Sequence, residues 1–262
     1  MLSRQSKYLK NRILHELRRL RTYYRYNNSE FSPYLTLRRV RKILLRNGLG
    51  FSEDGNPSWW YALVDLRRNE QDDLTKATLK YIEANCPKTS KILGTGCGIG
   101  WMLFWLAQRG FRDIAGFDYL GNVVQAAKQI AELGDISAKL WQADGFEPKL
   151  EESYDLILVL HWIYSAWAGN YGNRPRSADR ETLLSNFLGQ YAPHLNQGGY
   201  LMVELIDSIS DYLEPRSDIY PVRHSSEQVA KCAAGVGLTI ERKMFNSKYG
   251  HLPRMVYVLK KS

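Results

Sequence analysis

The chain is poor in cysteine, poor in histidine and free of long apolar runs. Its three cysteines, Cys86, Cys97 and Cys232, are an odd number without ligand-like spacing. That argues against a disulfide framework or a zinc site and for a reduced, cytoplasmic setting. The longest apolar stretch, "LILVLHWIY" (Leu156–Tyr164), falls well short of the ~18 residues that a membrane-spanning helix requires. It reads as a buried parallel strand. Arg4, Lys7, Lys10 and Arg12 have no apolar segment behind them, so no secretory leader is expected. Acids are scarce at one end: residues 1–46 hold 13 Lys/Arg against two acids, and the remainder holds 23 against 25. The formal net charge of +9 therefore belongs to an N-terminal segment attached to a nearly neutral body. No acidic cluster suggests a divalent metal, and none is expected.

What is present is ordered by periodicity. Leu9, Ile13, Leu17 and Leu20 form one helical stripe opposite Arg18, Arg21 and Arg25. After the polar break "NNSEFSP", a second helix is expected with Ser32 as cap and Pro33 in its first turn. Leu37, Val40 and Leu44 form its stripe, and Asn47-Gly48 ends it. A turn-rich link precedes "WWYALVDL" and a helix from about Asp72 to Glu83. From Ser90 onward, strands at 91–95, 113–118, 138–143, 154–160, 199–206, 238–246 and 254–260 alternate with helices near 100–109, 121–133, 180–192 and 226–235. The alternation predicts a doubly wound, mostly parallel seven-stranded α/β sheet, its last two strands forming an antiparallel hairpin. The expected division is a basic helical extension over residues 1–58 and a Rossmann-like domain over 59–262.

The segment "SKILGTGCGIGWMLFWLAQRG" places glycine at 94, 96, 98 and 100, where a strand becomes a helix. Glycines at such a bend let backbone approach a ligand closely. A dinucleotide fingerprint, G-x-G-x-x-G, fails here because Ile99 or Trp101 would stand at the third glycine. The spacing G-x-G-x-G instead resembles the first motif of the class I S-adenosylmethionine-dependent methyltransferases. "IAGFDYL", "LWQADGF", "YDLILVLHW" and "HLNQGGYLMVEL" follow in the order that family shows, over roughly residues 75–262.

The resemblance implies S-adenosyl-L-methionine as cofactor, with S-adenosyl-L-homocysteine as product. It implies a bend of Gly94, Thr95, Gly96, Cys97, Gly98 and Gly100 around the cofactor, and Asp118 on the ribose hydroxyls. Tyr119 would lie against the adenine, Asp144, Gly145 and Phe146 would line the same pocket, and Leu160 would end the strand facing the methyl group. One position departs: the family usually carries an acid where Gly94 stands, so one charge-assisted contact is missing. Its absence is expected to cost about 1.5–3 kcal/mol of binding.

His161, at the end of the central strand, is the candidate base for a hydroxyl acceptor. Its alternative is a structural histidine. Trp162, Tyr164, Trp167, Tyr171, Arg174, Tyr220, Arg223 and His224 are the candidate acceptor contacts, on two loops expected to converge over the site. Aromatics mixed with arginines suit a sugar, nucleotide-sugar or phosphorylated metabolite, and two solvated loops remain the alternative. No Asn-Pro-Pro-Tyr or Asp-Pro-Pro-Tyr element follows the fourth strand, which makes methylation of base amino groups less expected.

The leading expectation is methyl transfer to a hydroxyl of a small polar molecule or glycan. RNA or protein methylation through the basic arm and a catalytically weakened binding subunit stand as alternatives. Residues 1–46 are expected to meet RNA or an anionic membrane surface, placing the protein in the cytoplasm or at the inner membrane face.

Overall fold

The computed structural model describes residues 4–25, 34–66, 73–167, 169, 179–206, 222–245 and 254–262. Seven strands, β1 (Lys91–Thr95), β2 (Asp113–Asp118), β3 (Lys139–Gln142), β4 (Tyr154–Val159), β5 (Leu195–Ile206), β6 (Leu238–Phe245) and β7 (Arg254–Lys261), form one sheet. Their spatial order is β3-β2-β1-β4-β5-β7-β6. The first five run parallel, and β7 inserts antiparallel between β5 and β6. The expected seven-stranded α/β fold and the terminal hairpin are both present.

Alternation along the strands divides the core in two. Ile92, Leu156, Leu158, Val256 and Val258 face one layer. Leu93, Ile157, Val159, Tyr257 and Leu259 face the other. The first layer is covered by α4 (Asp73–Asn85), α5 (Trp101–Gln108) and α6 (Gly121–Leu133). The second is covered by α8 (Arg180–Tyr191) and α9 (Ser226–Ala234). A short α7 (Ile163–Trp167) follows the central strand.

Upstream lie α1 (Arg4–Arg25), α2 (Tyr34–Arg46) and α3 (Trp59–Leu66). "WWYALVDL" is that third helix. The expected cap at Ser32 and Pro33 lies outside the described residues. α2 does not stand apart from the body. Val40 and Leu44 are buried in the same layer as Ile82, Leu103 and Val123, and Asn47 Nδ2 donates to Gln129 Oε1 of α6 at 3.1 Å. Leu37, Val40, Ile43, Leu44, Leu49 and Phe51 thus contribute to the core of the domain expected to begin at residue 59.

Gly94 is also explained by packing. It is an interior residue of β1, in register with Gly116 of β2. A Cβ at Gly94 would lie 3.0–3.2 Å from the side-chain carbons of Leu103, and one at Gly116 would lie 2.5 Å from Leu103 Cδ1. Two adjacent bare positions let Leu103 of α5 settle onto the sheet. The direction in which an acid at 94 would project is filled.

Candidate active site

Parallel strands open their loops at one edge, and the switch point lies between β1 and β4. After Thr95 the backbone turns through Gly96, Gly98 and Gly100, whose φ values are +55°, +56° and +87°. These left-handed conformations are strained for any residue with a Cβ. An aromatic ring lies against each bare backbone: Trp162 against Gly96, Trp60 against Gly98 and Phe104 against Gly100.

Asp118 ends β2 directly beside this bend. Its Oδ2 accepts from the Gly98 N–H at 2.9 Å and its Oδ1 from the Leu120 N–H at 3.0 Å. The Cys97 N–H donates to the Phe117 carbonyl at 2.9 Å, tying the bend to the end of the same strand. Burial pushes the Asp118 carboxyl up from its ordinary value, and N–H groups of Leu120, Gly98 and Tyr119 partly oppose the shift. A carboxylate has about four lone-pair positions, and the main-chain N–H groups do not take all of them. Tyr119 is 54% exposed beside it. Desolvation, with Asp118 adjacent, raises the Cys97 thiol above its ordinary value, so this cysteine is no activated nucleophile.

Past β3, the Ala143 N–H donates to the Asp118 carbonyl at 3.1 Å. Asp144 accepts from the Phe146 N–H at 2.9 Å. Gly145 lies under Trp162, since a Cβ there would be 2.5 Å from its ring. Its carbonyl accepts from the fully buried Tyr191 hydroxyl at 2.6 Å. Trp162 Nε1 donates to Thr95 Oγ1 at 3.2 Å, which in turn donates to the Leu158 carbonyl at 3.1 Å. The indole is thereby fixed between two glycines, edge-on to Phe146 with centroids 5.4 Å apart. Leu160 is buried at the end of β4. These positions form a glycine bend walled by Trp162, Trp60 and Phe104, with the buried Asp118 carboxylate beside it. That arrangement fits a ligand with vicinal hydroxyls and a flat base.

His161 follows with φ +67°, a left-handed conformation. Such strain outside glycine is uncommon and concentrates at functional positions. Its N–H and Nδ1 both lie 3.0 Å from Glu204 Oε2. Glu204 is 1% exposed, and Arg254 Nη1 donates to its Oε1 at 2.8 Å. Arg254 Nη1 also lies 3.1 Å from His161 Nδ1. Nδ1 thus stands between an acceptor, Glu204, and a donor, Arg254; the tautomer that hydrogen-bonds Glu204 carries its proton on Nδ1 and has Nε2 as the basic nitrogen.

Glu204, Arg254, Trp60 and Tyr191 were missed by the sequence analysis. An acid inside the apolar run "YLMVELI" was the available signal for Glu204, because buried charges are rare unless paired.

The other candidates separate. Trp162 and Tyr164 are half-buried after β4. Trp167 and His224, expected on ligand-facing loops, are instead packed in the core, with ring centroids 5.5 Å apart. His224 Nε2 donates to the Arg180 carbonyl at 2.9 Å, and burial pushes its imidazole below its ordinary value. Arg223 is buried as well. Tyr171, Arg174 and Tyr220 lie outside the described residues.

Comparison with known proteins agrees with this geometry. Residues 66–241 match a family model described as "Methyltransferase domain". An 81-residue stretch is 36% identical to a 23S rRNA (uracil(747)-C(5))-methyltransferase of Pyrococcus horikoshii, covering 31% of this chain and 19% of that relative. The chain thus matches only about a fifth of that relative's length. The magnesium protoporphyrin IX methyltransferase of Synechocystis PCC 6803, solved with bound SAH, superposes with a TM-score of 0.58 at 16% identity, covering 86% of this chain and 99% of that one. A SAM-dependent methyltransferase from Methanosarcina mazei superposes with a TM-score of 0.53 at 14% identity, covering 69% and 96%. The family match spans most of the chain and the fold agrees throughout it: this protein belongs to the class I S-adenosylmethionine-dependent methyltransferases.

Proposed function

We propose that the protein methylates a hydroxyl of a small polar molecule or glycan, with His161 as general base. When bound, S-adenosylmethionine supplies an electrophilic methyl group. Gly96, Gly98 and Gly100 let the backbone take the left-handed bend beside which that ligand would lie, Asp118 would accept from its ribose hydroxyls, and Tyr119 would cover its base. Trp162 and Tyr164 would shape the acceptor side. His161 Nε2 takes the acceptor's proton as its oxygen becomes nucleophilic. Glu204 holds the ring in the required tautomer and stabilises the imidazolium, and Arg254 holds Glu204.

The observation that carries this reading is the contact of His161 Nδ1 with buried Glu204 at 3.0 Å, at the end of the central strand. An imidazole bound to a fixed carboxylate is suited to hydroxyl deprotonation. A second reading, RNA as acceptor, draws on the short stretch shared with the archaeal rRNA enzyme.

Incubation with methyl-labelled S-adenosylmethionine and a panel of hydroxyl acceptors, with bulk RNA as comparison, tests both. Label is expected on a hydroxyl compound. His161→Ala should lower kcat by roughly 10²–10⁴-fold while calorimetry shows unchanged cofactor affinity. Label on RNA alone, or full activity in His161→Ala, would reject the proposal.

A further inference from the structure

The N-terminal helix α1 is docked with its polar side inward. Arg4 pairs with Glu53, Lys7 Nζ lies 3.3 Å from Asp54 Oδ2, and Asn11 Nδ2 donates to the Asp54 carbonyl at 2.8 Å. The Arg12 guanidinium lies over the Phe51 ring at 4.9 Å, and His15 packs against Phe51 and Tyr61 with centroids 5.7 and 5.6 Å apart. The opposite stripe points away from the body: Leu9, Ile13 and Leu17 are 59%, 51% and 58% exposed. At 1.5 Å per residue, the stripe runs about 12 Å along the helix.

A soluble helix ordinarily buries its apolar stripe, so this orientation leaves the stripe for another occupant. Charge indicates which. Among its 22 residues α1 carries eight Lys/Arg and a single acid, Glu16. Lys10 is exposed beside the stripe, and Lys7, Arg12 and Arg18 are exposed farther round the helix. A second copy would oppose one strongly basic helix to another. An anionic bilayer surface satisfies both features at once. The stripe enters the headgroup–acyl boundary while lysine and arginine stems carry their charges to the lipid phosphates. No described helix is long and apolar enough to cross a membrane, so this contact would be peripheral. We infer that α1 is a membrane-docking helix that holds the enzyme on anionic lipid through Leu9, Ile13 and Leu17.

The test is co-sedimentation of the full chain with phosphatidylcholine vesicles, and with vesicles containing about one-third phosphatidylglycerol. Binding to the anionic vesicles should be tighter by about tenfold or more and should weaken with salt. The double variant Ile13→Glu/Leu17→Glu should lose it. Because both positions are exposed, thermal unfolding and calorimetric binding of S-adenosylmethionine should be unchanged. Absence of vesicle binding, equal binding to neutral vesicles, or retained binding by the variant would overturn the inference. So would a dimer that the variant turns into monomer in sedimentation velocity, which would make the stripe a contact between copies. A salt-sensitive shift with bulk RNA that the variant abolishes, without vesicle binding, would assign the helix to nucleic acid instead.

Discussion

The two halves of the sheet's carboxyl edge are built differently. On the side of β1, β2 and β3, the candidate ligand contacts are backbone and a single acid: three left-handed glycines and Asp118, whose two oxygens accept main-chain N–H groups. On the side of β4, β5 and β7, the contacts are side chains: His161, Glu204 and Arg254, one from the end of each strand. The first half is a shape, held by residues near one another in sequence. The second is a charge network across 93 positions, from His161 to Arg254, closed only when β7 inserts beside β5.

That division can be broken from either side. The largest effect is expected at Asp118→Ala, which removes a buried carboxylate together with the partner of the Gly98 N–H. Calorimetric affinity for S-adenosylmethionine should fall by about 100-fold, the scale of two charge-assisted hydrogen bonds. An unchanged affinity would remove Asp118 from the cofactor site.

A smaller effect is expected at Gly94→Asp. By family analogy an acid there would tighten binding, but Leu103 occupies the space. The substitution should cost about 1–3 kcal/mol of stability by overpacking. Chemical denaturation measures this, and Leu103→Ala in the same chain should relieve part of the loss. Tighter cofactor binding without loss of stability would show that the strand interior accepts the acid.

The smallest effect concerns His224, the histidine that packing took out of the site. Burial depresses its folded-state pKa below the ordinary 6.5. Below that value the unfolded chain takes up a proton that the folded chain refuses. Stability therefore rises with pH through this window and falls as pH drops through it. Between about pH 8 and about pH 5, Tm should decline less steeply in His224→Gln than in the parent. Identical slopes would mean that His224 does not titrate on unfolding.

The comparison also separates what could be read from what could not. The bend was legible because its cause is local: alternate glycines after an apolar run require a positive-φ turn wherever they occur. The central parallel strands β1, β2 and β4 were legible for a similar reason, since a buried parallel strand reads as a short apolar run between breaks. Asp118 followed from its position at the end of such a run. The partners of His161 were not legible. Nothing near "LHWIY" refers to Glu204 or to Arg254, and only strand order brings them within hydrogen-bond reach. Trp167 and His224 were assigned outward because each follows a strand end, yet they pack together beneath the second helical layer, where two rings exclude water better than either alone. Periodicity found the stripe of α1 correctly but not the side on which it lies, because the hydrophobic pattern of a helix specifies a face and not what that face meets.

By itself the sequence determined the alternating strands and helices, the glycine bend and the acid that terminates the next strand, since each arises from short-range backbone sterics and apolar periodicity. Tertiary structure alone decided that Glu204 orients His161, that His224 is buried, that Trp60 lies on Gly98 and that α1 turns its apolar stripe outward. Those outcomes depend on which surfaces meet, and contacts between residues far apart in the chain leave no periodic trace along it.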